Sequence, residues 1–471
     1  MRRRQTGGPS GGGSGPAEGL WAPDRRALTV GLVLTITFMA AEALAVVTIM
    51  PQVARSLGGI HLYGWVFSAF LLGSMVGIVA AGREADRTGP ARPYVAGVAL
   101  FAAGLVVAGL APSMLVLVVG RTLQGIGAGA VPAVAYVAIG RSFPELLRAR
   151  MMAVLSTAWV VPGIVGPLIS AGVAHVFGWR WVFLGLLPLV AVTGALALPG
   201  LVHLGKATTP PVVEHRLADA LRAAGGTGLI IGGLAGGVSV VAAGVVVAGV
   251  VALVPALRRL LPQGTLRSRR GLPSTILSRG MLTFAYFGAD AFVTLAIVTV
   301  RHHSVAVAGI AVTGSTLAWT VGAWIQARFN ARWEGRRLVR MGLVLVLAGV
   351  VGMLVVLRPS VPLWVAFAAW TVAGLGMGLA YAPISLMMLR EAPEGREGWA
   401  SASLSLSDVM GSALGAGVGG AAIAVCDNRG WPLSSGVAVA FALPAVVAVV
   451  ALGLSGRLPS RNSLPVVERS S

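Results

Sequence analysis

The chain has 471 residues, 56% of them hydrophobic and only 11% charged, with a formal net charge of +20. Soluble domains average about 25% charged residues, so this composition excludes a soluble enzyme, a disulfide scaffold and a disordered chain. One cysteine, Cys426, excludes an intramolecular disulfide, a CxxC redox pair and a thiolate metal cage. The positive charge is spread along short loops instead of one face, which argues for membrane topology and against nucleic acid as a partner.

Residues 1–26 open on Met1-Arg2-Arg3-Arg4, pass through a Gly/Ser/Pro stretch and close on Arg25-Arg26, a composition expected to form a disordered cytoplasmic tail. The apolar run that begins at Ala27 is longer than a signal-peptide core and contains Glu42, so it is expected to be retained. Cutting the sequence at its arginine clusters yields apolar segments at about 27–50, 62–82, 93–111, 113–140, 151–174, 182–203, 217–235, 239–257, 280–300, 305–327, 341–357, 363–389, 399–425 and 433–455. With the N-terminus in the cytoplasm, Arg55, Arg180, Arg301, Arg358 and Arg429 fall outside and Arg121 falls within a span. The rest of the 36 basic residues face the cytoplasm, as the positive-inside rule requires. Both flanks of 217–257 are basic, so this stretch is expected to cross twice, turning at Gly236-Gly237. One long helix in its place, dipping into the surface, would leave twelve spans instead of fourteen.

An internal repeat carries Arg121-Thr122-Leu123-Gln124-Gly125-Ile126-Gly127-Ala128-Gly129 onto Trp370-Thr371-Val372-Ala373-Gly374-Leu375-Gly376-Met377-Gly378. The same register relates Gly166 to Gly415 and the basic loop Arg83–Arg92 to Arg332–Arg340, and it brings Glu42 to within one residue of Asp290. The expected architecture is an all-α polytopic membrane protein of two six-helix bundles in parallel repeat, 27–203 and 280–455. A linker, 204–279, supplies two more helices, and 456–471 forms a second cytoplasmic tail. In such proteins the substrate cavity lies between the halves near mid-membrane.

Four patterns resemble the major facilitator superfamily and, within it, the fourteen-span drug:proton antiporters. Gly82-Arg83-Glu84-Ala85-Asp86-Arg87-Thr88-Gly89 is similar to the loop motif between spans 2 and 3, with Glu84 where Leu is usual. Gly89 permits a tight turn there, and Asp86 can accept from a helix N-terminus. Arg121 with Gln124-Gly125 resembles the span-4 motif R-x-x-Q-G; the resemblance implies a role in proton transfer with an acid on span 1. Pro162-Gly163-Ile164-Val165-Gly166-Pro167 is similar to the antiporter motif of span 5, which the resemblance links to export. Glu42 stands nine residues before Pro51, the spacing of the acid in that family's first span. Trp179-Arg180-Trp181 looks like its start of span 6, though the tryptophans read equally as interfacial anchors.

Asp290 and Asp408 also fall inside spans, giving three acids with one base, Arg121. Intramembrane charges are rare and functional by default, so Glu42, Arg121, Asp290 and Asp408 are the expected proton-coupling groups. Asp290 with Tyr286, Phe287, Trp319, Trp370 and Tyr381 is the expected substrate cavity, although an aromatic on a membrane helix more often packs. His302-His303 offers too few ligands for a metal, and the Gly-rich runs read as helix packing; no cofactor is expected, and ATP is not the energy source. The resemblance implies export of amphipathic, often cationic small molecules in exchange for protons. The expected setting is a monomer in a bacterial inner membrane with both termini cytoplasmic. Export of one host natural product or lipid, and proton-coupled uptake, are the alternatives.

Overall fold

The computed structural model describes residues 22–142, 151, 154, 158, 160–204, 216–237, 239–329, 333–393 and 396–459. Most of both tails, residues 205–215 at the start of the linker and most of the loop between spans 4 and 5 therefore lie outside the described residues. The first half contains α1 (Pro23–Leu57), α2 (Tyr63–Thr88), α3 (Ala91–Gly109), α4 (Met114–Ser142), α5 (Val160–Val176), the short α6 (Arg180–Leu184) and α7 (Leu187–Val202). The linker contributes α8 (Arg216–Ala235) and α9 (Val240–Leu260). The second half contains α10 (Leu272–Leu295), α11 (Val305–Phe329), α12 (Gly335–Val356), α13 (Trp364–Glu391), α14 (Glu397–Asn428) and α15 (Leu433–Leu454).

Among the described residues, twelve helices are long and apolar enough to cross a membrane. The helices α5 and α8 are not among them but occupy the positions of the fifth and seventh expected spans. Large apolar side chains such as Ile169, Val241, Val247, Val251 and Trp324 point outward, which a soluble protein does not tolerate over so wide a surface.

Helix for helix, the two halves repeat. In the first, α4 packs between α2 and α3, and α1 packs on α5 and α7; in the second, α13 packs between α11 and α12, and α10 packs on α14 and α15. The repeated glycines explain the shared register. A Cβ on Gly125 would strike the backbone of Phe70, and one on its counterpart Gly374 the backbone of Ser315. Gly129 and Gly378 stand in the same way against Ser74 and Trp319. The duplicated sequence is thus the small-residue face that lets neighbouring helices touch backbone to backbone.

The linker is a hairpin, not one long helix. The chain reverses at Gly236-Gly237, where Gly237 has φ +77°, and Ser239 caps α9 by accepting from the Ala242 amide at 3.0 Å. Gly226 and Gly249 bring α8 and α9 into backbone contact. At their free ends the buried Asp219 meets Arg222 at 3.5 Å and Arg259 at 3.4 Å, so both ends lie on the same side. On its other face α8 packs against α2 and α14, with Trp65 over Gly228 and Gly232 and the Thr227 hydroxyl 3.2 Å from the Met410 sulfur.

The two halves join along α2/α14, α1/α10 and α5/α11. Ser68 donates to the Ala413 carbonyl at 3.0 Å, Thr294 to the Val47 carbonyl at 2.7 Å and Arg55 to the Val298 carbonyl at 3.4 Å. His61 stands 3.7 Å from Asp427, and the Gly64 and Gly420 backbones touch. All these contacts lie toward the end remote from the basic loops at Arg83–Arg92 and Arg390–Arg396, so the molecule is closed at its arginine-poor end.

Several expected boundaries shift, among them the end of α2 and the start of α12, and two starts bear on the argument. The first helix starts at Pro23, because proline is well suited to the first helical turn, so the last residues assigned to the tail are helical. The ninth span starts at Leu272, not 280, and takes Arg279 into the protein interior, where it is 1% exposed.

Replacing Gly420 by Val would drive a side chain into the Gly64 backbone and force the arginine-poor seam apart. In a Cys426→Ser background, a cysteine at Ser68 should then react with a membrane-impermeant maleimide at least about tenfold faster than without the Gly420→Val change, matching a shift of about 1.4 kcal/mol in the opening equilibrium. An unchanged rate would contradict this account of the closure.

Candidate functional site

In the first half, Arg121 and Gln124 lie three residues apart on one face of α4 and meet Glu42 of α1. The Arg121 Nη1 donates to Glu42 Oε1, and to Gln124 Oε1 at 2.8 Å; its Nε donates to the Val66 carbonyl at 3.2 Å. The guanidinium also sits 4.2 Å from the centre of the Phe70 ring. Glu42 is 1% exposed and Arg121 2%. Two polar atoms, Glu42 Oε2 and Gln124 Nε2, have no partner among the described residues. Arginine keeps its proton in proteins, so Glu42 is the member of this pair able to exchange one.

The second half repeats the arrangement with different chemistry. Trp370, the counterpart of Arg121 in the repeat, donates its Nε1–H to Asp290 Oδ1 at 3.0 Å, so again a side chain of the fourth helix serves an acid on the first. The donor is now neutral. Trp370 stacks on Tyr286 with ring centres 5.2 Å apart and planes at 12°, and the Tyr286 hydroxyl lies 2.7 Å from Ser315 Oγ. Tyr286 meets Phe287 at 5.2 Å and Trp319 at 5.6 Å, edge to face, and Trp319 meets Tyr381 at 5.5 Å. The Tyr381 hydroxyl donates to Asp408 Oδ2 at 2.6 Å. All five aromatics expected to line a cavity therefore form one cluster from α10, α11 and α13, bracketed by Asp290 and Asp408. Trp370 and Tyr286 are buried and act as its packed base; Phe287, Trp319, Tyr381 and Asp408 keep part of their surface accessible.

The sequence reading missed Arg279. Its guanidinium lies 3.4 Å from the centre of the Tyr381 ring, and its Nη2 donates to Ser385 Oγ. Among the described residues, the intramembrane inventory is therefore three acids and two bases, not one base. Division at arginine clusters assigned Arg279 to a loop, but Arg279, Thr283, Tyr286 and Asp290 follow a helical three-and-four spacing along one face, which is the signal that could have found it.

The remaining motif residues divide. Gly89 ends α2 with φ +91°, its amide donating to the Ala85 carbonyl at 3.0 Å, as a tight turn after the helix requires. Arg87 is exposed, and Gly82 has open space where a side chain would go. The expected contact of Asp86 with a helix end lies outside the described residues. In α5, Gly163 touches Thr316 of α11, and a Cβ on Gly309 would lie 3.5 Å from the Pro167 carbonyl oxygen; Gly166 faces open space. Trp179 is buried under Arg180 and packs on Phe183, so of the two tryptophans there only Trp181, 55% exposed, fits an interfacial anchor.

The model of the Major Facilitator Superfamily matches residues 30–272. A protein of Mycobacterium tuberculosis described as a probable multidrug-efflux transporter is 26% identical over 434 residues, covering 88% of this chain and 91% of the relative. The multidrug transporter protein MdtP of Bacillus subtilis is 32% identical over 188 residues, 40% of this chain and 34% of that protein. Among solved structures, a POT family transporter in complex with 5-aminolevulinic acid has a TM-score of 0.67 at 12% identity, covering 94% of this chain and 98% of that one. A bacterial homologue of the lysosomal transporter Spinster has a TM-score of 0.63 at 16% identity, covering 92% and 96%. These last two share the fold. The repeated bundles, the paired acid sites and the match over more than half the chain agree: this is a multi-pass membrane transporter, not an enzyme, and it belongs to the Major Facilitator Superfamily.

Proposed function

We propose that the protein exports amphipathic, often cationic small molecules in exchange for protons. The observation that carries this reading is the asymmetry between the acid sites. Glu42 faces a permanent cation, Arg121, whereas among the described residues Asp290 is paired with the neutral Trp370 beside an aromatic cluster. An acid locked to arginine suits proton exchange, and an acid without a local cation, next to accessible aromatic faces, suits a cationic substrate. The names of the relatives in Mycobacterium tuberculosis and Bacillus subtilis support drug efflux, and the Gly163–Pro167 motif supports the outward direction.

On this reading the chain makes fourteen crossings of the bacterial inner membrane as a monomer, with both termini and the arginine-rich end in the cytoplasm. The closed arginine-poor end then faces outward, and the structure corresponds to the inward-facing carrier. The formed Glu42–Arg121 pair fits that state: Glu42 has given its proton to the cytoplasm, and the site awaits a substrate. Once the carrier opens outward, protonation of Glu42 parts it from Arg121 and the substrate leaves.

Tags at residues 210 and 265 should both report the cytoplasm, and a tag at Gly236-Gly237 the outside; opposite reports from 210 and 265 would sink the fourteen-span topology. Cells expressing the protein should accumulate less of a lipophilic cationic dye until a protonophore collapses the gradient. Faster loading in energised cells would indicate uptake instead.

Glu42→Gln should abolish gradient-driven efflux and, by leaving Arg121 buried without its counter-charge, destabilise the protein by about 3–5 kcal/mol. Adding Arg121→Gln should restore much of the thermal stability in detergent without restoring efflux. A double variant no more stable than Glu42→Gln alone would show that the pair is not the electrostatic unit described.

A further inference from the structure

The second half holds a buried arginine that the proposed exchange does not use. Arg279 is 1% exposed, yet its Nε and Nη1 have no hydrogen-bond partner among the described residues. A guanidinium offers five donors and always carries its charge, so a buried one with open donors calls for an anion. Asp408 lies on the neighbouring helix at this level. Thr283, one turn along α10 from Arg279, donates to the Asp408 backbone carbonyl at 3.0 Å, and Ser407 donates to the Ile276 carbonyl at 2.8 Å, so α14 runs directly beside the arginine. Between the two groups stands Tyr381. Its ring face carries the guanidinium and its hydroxyl donates to the carboxyl.

Among the described residues, the other charges on the helices packed against α14 lie away from Asp408. Of the helices packed on α14, α15 carries no charged residue. The charges of α2 and α8 sit at their arginine-rich ends, where Asp219 is already held by Arg222 and Arg259. Arg390 and Glu391 lie in the last turn of α13, where Glu391 stands beside Gly271 at the start of α10, and Asp290 of α10 is held by Trp370.

We propose that Arg279, Tyr381 and Asp408 form a substrate-triggered proton-release relay in which a cationic substrate takes the place of Arg279 on the Tyr381 ring. This rests on the antiport reading above and adds the device by which one class of substrate expels a proton. Tyr381 is accessible in part and stands at the edge of the aromatic cluster, in contact with Trp319. An aromatic cation entering there competes with the guanidinium for the same ring face. Arg279, displaced, turns its open donors to Asp408 and forms a direct ion pair, and the proton on Asp408 leaves to the cytoplasmic water. The charge balances: one positive charge arrives with the substrate, one proton departs, and Arg279 neutralises the carboxylate that remains. A neutral substrate does not compete for the ring in this way and leaves Asp408 protonated.

The test uses the purified full-length protein in weakly buffered detergent, with ethidium as the planar monovalent cation. Binding is followed by fluorescence, and proton release by a pH indicator. Wild type should release protons as ethidium binds. Arg279→Gln should still bind ethidium, because no guanidinium then competes for the ring, but should release about one proton fewer per ethidium, since an uncharged amide cannot replace the proton on Asp408. Asp408→Asn should show the same deficit, and Arg279→Lys, which keeps a charge able to reach the carboxyl, should recover at least about half of it. Glu42→Gln should keep the proton that belongs to this relay. Release from wild type that is undiminished in Arg279→Gln would overturn the relay and leave antiport standing. No release from wild type would overturn both. A deficit that Arg279→Lys does not repair, in protein that elutes as wild type does on size exclusion, would mark Arg279 as structural and also overturn the relay.

Discussion

A carboxyl on the first helix of each half must find a donor on the fourth helix of the same half, and much of this molecule follows from that requirement. Charged or polar groups at membrane depth are costly unless paired or wet, so the helices that carry Glu42 and Asp290 are held where Arg121 and Trp370 can reach them. The repeated glycines make that reach possible. Gly125 and Gly374 let α4 and α13 lie against the backbones of α2 and α11, which sets the depth at which the donors stand. Bundle packing and acid placement are therefore one constraint, satisfied twice.

The linker hairpin answers a different requirement. In a carrier built from two rigid halves, the connection between them must not fix their separation. Here the connection is itself a pair of helices closed by Asp219 and its two arginines, and α8 lies along the α2/α14 seam instead of bridging the halves end to end. Its contacts with that seam include Gly228 and Gly232 beside Trp65, Thr227 beside Met410 and Ile231 against Gly417, none of them charged. These contacts are mostly packing, with few directional bonds to break.

Much of this architecture was legible in the sequence, and for identifiable reasons. Parity of the basic loops required two helices in 217–257, and the structure turns at Gly236-Gly237 as that parity demanded. The repeat was visible because glycine at a backbone crossing has no substitute. Arg279 was hidden by the same rule that gave the topology: arginine normally marks a loop, and this one lies seven residues inside α10. The aromatic residues could be named one by one, but their continuity could not, since Trp319 and Tyr381 lie on separate helices far apart in sequence. The role of Trp370 was written in its alignment with Arg121 and went unread, because indole and guanidinium look unrelated until both are seen donating to an acid.

That substitution of donors is the step by which a duplicated bundle becomes an asymmetric machine. Two identical halves would each carry an acid neutralised by arginine, and neither would present a net charge to a substrate. Exchanging one arginine for tryptophan keeps the hydrogen bond, removes the positive charge and adds an aromatic face that stacks on Tyr286. The first half is left electrostatically closed and the second open. On the proposed reading this separates two tasks that would conflict at one site: a proton acceptor must be able to lose its charge, while a cation site must present one. The second half then regains a guanidinium elsewhere, at Arg279, where a tyrosine ring stands between it and Asp408. On the proposed relay, a guanidinium held on a ring that a substrate can also occupy links the two tasks again, and it does so only when a substrate is present.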